Sequence, residues 1–270
     1  MKNVDSTSVG RTARIKCRNY GDSVHTGALI KMSHAGFVEA WDPLEPSAGI
    51  DLGLVIAAKK REIANILRSY TGYYDLFSEL IQNALDAVER RLEEDEAGYA
   101  PRIWIEIDLG KHEVRVTDNG CGMSLEQFRQ FLSPSFSFKN GQSTRGSKGV
   151  GATYLGYGFN SLHVSSRQPE GVFSGKFENG RNWIEDRLGT IARPKIVPAL
   201  QIDGQFSDLD RGTAVAVMLN GANIRPKNLS WYQAVSATQW LALLRIFTPL
   251  GGLYIDGSSA PWKYDRTYER

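Results

Sequence analysis

Three short blocks in a fixed order constrain this chain more than anything else in it. They are Glu79-Leu-Ile-Gln-Asn83-Ala-Leu-Asp86-Ala, then Asp118-Asn-Gly120-Cys-Gly122-Met123, then Gly146-Ser147-Lys148-Gly149-Val150-Gly151. The first carries an acid and an amide at helical spacing. The second is an acid running into a glycine turn, and the third is a glycine loop ahead of a second helical stretch. A fold that uses all three must bring a helix face, a strand end and a helix start together.

The surrounding patterns supply those elements. Val55, Ile56, Ile63, Ile66 and Leu67 recur at helical spacing over residues 54–69. After a break at Tyr70-Thr-Gly72, a second helix is predicted from about Tyr73 to Glu94, with Leu76, Leu80, Ile81, Ala84 and Val88 as its apolar stripe. Residues 102–108 and 113–117 alternate at period two and form a predicted hairpin, so part of the sheet is antiparallel. A short helix at 125–131, a long aperiodic loop at 133–148 and a helix at 150–157 follow. Strands are expected at 161–166, 171–177 and 213–219, and a last helix at 236–246. The fold class is therefore α+β. Residues 1–53 read as an N-terminal arm with a short strand or two, a candidate for dimerisation or for covering a sheet edge, and 54–270 as one domain.

Each block has a chemical reading beside a plainer one. Glu79, Asn83 and Asp86 fall at i, i+4 and i+7 and share a helix face. The side-chain carbonyl of Asn83 suits Mg²⁺, which takes one or two protein oxygens with phosphates and water. Glu79, one turn earlier, suits a general base that polarises a water; the plain reading is a solvated helix face. Asp118 at a strand end can accept from an exocyclic amine, Gly120 and Gly122 let backbone approach a flat base, and Met123 can pack on it. The plain reading there is a tight turn. Gly146, Gly149 and Gly151 expose amides for a phosphate, with Lys148, Lys139 and Arg145 adding charge; a flexible loop is the alternative. Thr213 either sets a hydroxyl beside Asp118 or is an ordinary strand residue.

Taken in order, Glu-x-x-x-Asn with Asp-Ala, Asp-x-Gly-x-Gly-Met and Gly-x-x-Gly-x-Gly resemble the GHKL superfamily of gyrase, heat-shock chaperone, histidine kinase and MutL ATPases, in a style near its MORC members. The resemblance spans about residues 60–220. It implies the Bergerat fold, a two-layer α/β sandwich with a mixed, mostly antiparallel sheet, helices on one face and ATP between the layers. It implies Glu79 as activator of water, Asn83 as Mg²⁺ ligand, Asp118, Gly120, Gly122, Met123 and Thr213 at the adenine, and Lys139 with Gly146, Ser147, Lys148, Gly149, Val150 and Gly151 at the phosphates. Residues 133–148 would be the ATP lid, and Asp86 would brace its helix. The family also implies a cation from a following domain at the γ-phosphate, which no residue here identifies. Lid closure, a homodimer or partner subunit, and work in DNA management or genome defence are further implications.

Composition narrows the setting. A net charge of +2 gives no general affinity for nucleic acid, although Lys59-Lys60-Arg61 form a local cluster. Two distant cysteines, Cys17 and Cys121, make no disulfide framework, and with no apolar run long enough for a bilayer the expected location is cytoplasmic, with no membrane partner. The alternatives to an ATPase are a histidine-kinase-type phosphotransfer domain and a nucleotide-gated interaction module with negligible turnover. Glu79 favours hydrolysis, since a kinase of that type generally lacks an acid there, and none of the four histidines sits in a phosphoacceptor hairpin pattern.

Overall fold

The computed structural model describes residues 11–18, 52–94, 98–132, 150–254 and 264–265, the first and last of these as backbone only. The described elements run β1 (Arg11–Arg18), α1 (Leu52–Ser69), α2 (Asp75–Glu94), β2 (Arg102–Asp108), β3 (Glu113–Asp118), α3 (Leu125–Gln130), α4 (Gly151–Tyr157), β4 (Ser161–Gln168), β5 (Gly171–Glu178), α5 (Gly180–Glu185), β6 (Ile196–Pro198), β7 (Gly212–Met218), α6 (Ala237–Phe247) and β8 (Tyr264–Asp265). The strands make one sheet in the order β6-β5-β4-β7-β3-β2-β1-β8. From β6 to β2 every pairing is antiparallel, and β1 joins β2 in parallel, with β8 parallel to β1. The sheet is mixed and mostly antiparallel, as the resemblance implies, and the β2–β3 hairpin is the antiparallel pair expected from the alternation.

Register sorts the residues between the two faces. Ile105, Val116, Val215, Val164 and Gly175 lie directly across from one another on successive strands. Next to them, Ile107, Val114, Val217, Leu162, Phe177 and Ile196 form a parallel row. Both rows face the helices and join one apolar cluster with Ile63 and Leu67 of α1, the α2 stripe, Phe128 of α3, Leu155 and Tyr157 of α4, Trp183 of α5 and Trp240 and Leu244 of α6. Helices thus cover one face, which makes a two-layer α+β sandwich. On the opposite face, among the described residues, Ala214 and Ala216 pack with Ile202 and Phe206 in a small cluster.

Local chemistry sets the ends of these elements. The β2–β3 hairpin turns because Asp108 accepts from the amides of Gly110 at 3.0 Å and Lys111 at 2.9 Å, and His112 takes a left-handed φ of 54°. Helix α2 starts two residues later than its pattern suggests, since Asp75 accepts from the Gly72 amide at 2.7 Å and keeps residues 72–74 in a turn. Reciprocal capping boxes, Ser124 with Gln127 and Ser236 with Gln239, fix the starts of α3 and α6. Leu76, Phe77, Leu80, Ile81, Leu85 and Val88 on α2 are all buried. Each large side chain so buried stabilises by roughly 1.5–3 kcal/mol, which anchors the helix that carries the first block.

Candidate nucleotide site

Helix α2 puts the first block over one end of the sheet. The Glu79 carboxylate is half-buried, and its Oε1 accepts from the Tyr70 hydroxyl at 2.9 Å. Asn83, one turn further, is half-buried, and its side-chain amide is not hydrogen-bonded to any described residue. Asp86 lies underneath, buried, and accepts from the Gln82 amide at 2.7 Å.

The second block sits directly beside the same helix. Strand β3 ends on Asp118, which is only 5% exposed. Its Oδ1 accepts from the Gly120 amide at 2.8 Å, and the Thr213 amide donates to it as well. Burial pushes its pKa up to about 7, against the two amides and the charges of Arg90 and Arg91. Gly120 packs flat on α2: a Cβ there would stand 2.5 Å from the backbone carbon of Ala87, and the next amide, Cys121, donates to the Ala87 carbonyl at 3.1 Å. Gly122 has a φ of 64°, and a Cβ on it would strike the Arg167 carbonyl. Both glycines are therefore required by geometry. Cys121 is a buried free thiol, held above its ordinary pKa chiefly by burial, and it fills the turn.

Register brings Thr213 to Asp118. The two face each other across β3 and β7, and Ser166 of β4 faces Thr213 on the far side. The Ser166 and Thr213 hydroxyls are hydrogen-bonded at 3.1 Å, and Ser166 accepts from the Met123 amide at 2.8 Å. A row of three buried polar side chains thus closes the sheet end where the neighbouring rows are aliphatic. Sequence reasoning missed Ser166; its signal is a serine at a helix-facing position of β4, in phase with Leu162 and Val164. It also missed two arginines that tie down the turn, Arg91 donating to the Asn119 carbonyl at 2.9 Å and Arg211 to the Cys121 carbonyl at 2.7 Å.

Of the third block, Val150 and Gly151 are described, at the start of α4. A Cβ on Gly151 would land on Oε2 of Glu79, so this glycine exists where the acid of the first block needs the room. Lys139, Arg145, Gly146, Ser147, Lys148 and Gly149, with the expected lid, lie outside the described residues, as does most of the N-terminal arm. The arm's strand β1 nevertheless lies on the β2 edge.

One helix, α2, touches the second block at Ala87 and the third at Glu79. Residues 69–171 match the family model described as histidine kinase-, DNA gyrase B-, and HSP90-like ATPase. This segment is similar to a GHKL ATP-binding module. The match takes in Tyr70, Glu79, Asn83, the Asp118 turn, Gly151 and Ser166, and stops before β7 and Thr213. No curated protein matches the chain. Among the described residues no helix is long and apolar enough to cross a membrane.

Proposed function

We propose that the chain is a Mg²⁺-dependent ATP-hydrolysing module whose site is built from the three blocks. The observation that carries this reading is their convergence on α2: Glu79 of the first block lies against Gly151 of the third, and Ala87 against Gly120 of the second. Unrelated turns and loops have no reason to share one helix in this way.

The chemistry follows from the groups present. The adenine amine donates to Asp118, beside Thr213 and Ser166, while Gly120 and Gly122 let the turn that carries Asp118 close on Ala87 of α2 and on the Arg167 carbonyl. Hard oxygen donors suit Mg²⁺, and the Asn83 carbonyl, unbonded to any described residue, fits that ion as part of a shell completed by phosphates and water. When bound, Mg²⁺ offsets the charge on the phosphates. Glu79 accepts the proton of a water whose oxygen forms the new bond to the γ-phosphorus. The bond from that phosphorus to the β–γ bridging oxygen breaks, and ADP leaves. An acid in this position favours transfer to water over transfer to a protein side chain. Closure of the 133–148 segment as a lid, pairing with a second copy or a partner subunit, and service in DNA management or genome defence extend the same reading. They are supported by the resemblance of the blocks to that superfamily.

Glu79→Gln tests it, because the amide keeps the size of the side chain and loses the basicity. Phosphate release should fall by about 10²–10⁴-fold while the Kd for a non-hydrolysable ATP analogue stays within about twofold of wild type. Unchanged turnover would remove Glu79 from the reaction.

A further inference from the structure

We propose that Tyr70 is a positioning residue for the hydrolytic step, orienting the Glu79 carboxylate through its phenol; this rests on Glu79 being the general base. None of the three blocks contains Tyr70. It begins the link from α1 to α2 and reaches nine residues along the chain to donate to Oε1 of Glu79 at 2.9 Å. The other oxygen, Oε2, occupies the space beside Gly151 that a side chain there would fill. A glutamate side chain has three rotatable bonds, and here one oxygen of its carboxylate is held by a donor while the other lies in the space left by Gly151. A base held in one orientation loses no time in unproductive rotamers, and small misplacements of a catalytic group are costly.

The tyrosine is itself held. Its ring stacks on Tyr154 of α4 with centroids 3.9 Å apart and an interplanar angle of 7°, and Tyr154 in turn meets Phe159 edge-on. Gly151 and Tyr154 lie one turn apart on α4, so a single short helix leaves room for Oε2 and stacks on the ring that serves Oε1. The phenol is also a dependable donor. Burial, and then the Glu79 charge, hold its pKa above the ordinary 10.0, so it keeps its proton at any pH where the protein works. Asp75 from α2 and Tyr154 from α4 face the pair and push in the same direction; Arg181 of α5 acts on Tyr154.

Loss of the donor has a signature that a packing role lacks. A hydrogen bond to the carboxylate favours its ionised form, so removing it raises the pKa of the base. Tyr70→Phe keeps the ring and its stack and removes only the hydroxyl. Steady-state ATP hydrolysis should show kcat lowered about 10- to 100-fold with KM for ATP and Kd for a non-hydrolysable analogue unchanged, and the acidic limb of the kcat–pH profile should move to higher pH. Glu79→Gln is run beside it. An inactive Glu79→Gln with a Tyr70→Phe of wild-type kcat and pH profile overturns the positioning role and leaves the base intact. A fully active Glu79→Gln overturns the base itself. Loss of analogue binding in Tyr70→Phe would make the residue structural and also overturn the proposal.

Discussion

Asp118→Asn should make the protein more stable above neutral pH and a poorer binder of ATP. The Asp118 carboxyl is buried and titrates at about 7 in the folded chain, against an ordinary value of 3.8. Between those values the folded state holds a proton that the unfolded chain has released. Stability therefore falls as pH rises from about 4 to 7 and is level beyond. A shift of about three units is worth at most about 4 kcal/mol. An asparagine has no such titration, and its carbonyl can keep the hydrogen bond from the Gly120 amide, now 2.8 Å long. Its buried NH₂ needs a partner and returns about 1–3 kcal/mol of that gain. The net above pH 8 is about 1–3 kcal/mol in favour of the variant, or roughly 2–12 °C in Tm for a chain of this size. Near pH 4 the gain vanishes and only the cost of the amide remains. Thermal melts at several pH values read this directly, and the expected result is a Tm difference that grows from pH 4 to 8. The adenine amine favours the carboxylate, so ATP binding near pH 6 should release more protons in wild type than in the variant. A Tm difference that does not change with pH would rule out a raised Asp118 carboxyl, and equal ATP affinity would remove Asp118 from the adenine site.

Two further substitutions probe the frame of the site. Gly120→Ala drives a methyl into the Ala87 backbone and should cost about 1–3 kcal/mol by urea titration, whereas Gly98→Ala, with open space around it and a φ of 89°, should cost only about 1–2 kcal/mol through backbone strain. Ser166→Ala strands the Met123 amide and loosens Thr213; we expect a loss of about 1–3 kcal/mol together with weaker analogue binding by calorimetry.

Much of this arrangement can be read from residue spacing, and the reason is local. The α2 stripe from Leu76 to Val88 repeats at helical period, so it fixes both the helix and the face on which Glu79 and Asn83 lie. The alternation in β2 and β3 likewise fixes the hairpin and leaves Asp118 on the helix-facing side. Relations between distant strands are harder. Ser166 joins the polar row only because β4 pairs with β7 in one register, across 47 residues, and no local pattern states that register. Tyr70 sits in what reads as a break between helices, and its role depends on where α4 packs. The short elements escape for a related reason. Helix α5 spans six residues after the left-handed Asn179, and β6 is a three-residue edge strand that ends in proline. Neither is long enough to show a period, and packing alone selects them.

The most direct test of the account is a structure of the chain with Mg²⁺ and a non-hydrolysable ATP analogue. The adenine amine should lie within hydrogen-bonding distance of Asp118, with the metal on the Asn83 side-chain oxygen and the γ-phosphate nearest Glu79. An analogue bound elsewhere, or one whose base avoids Asp118, would contradict it.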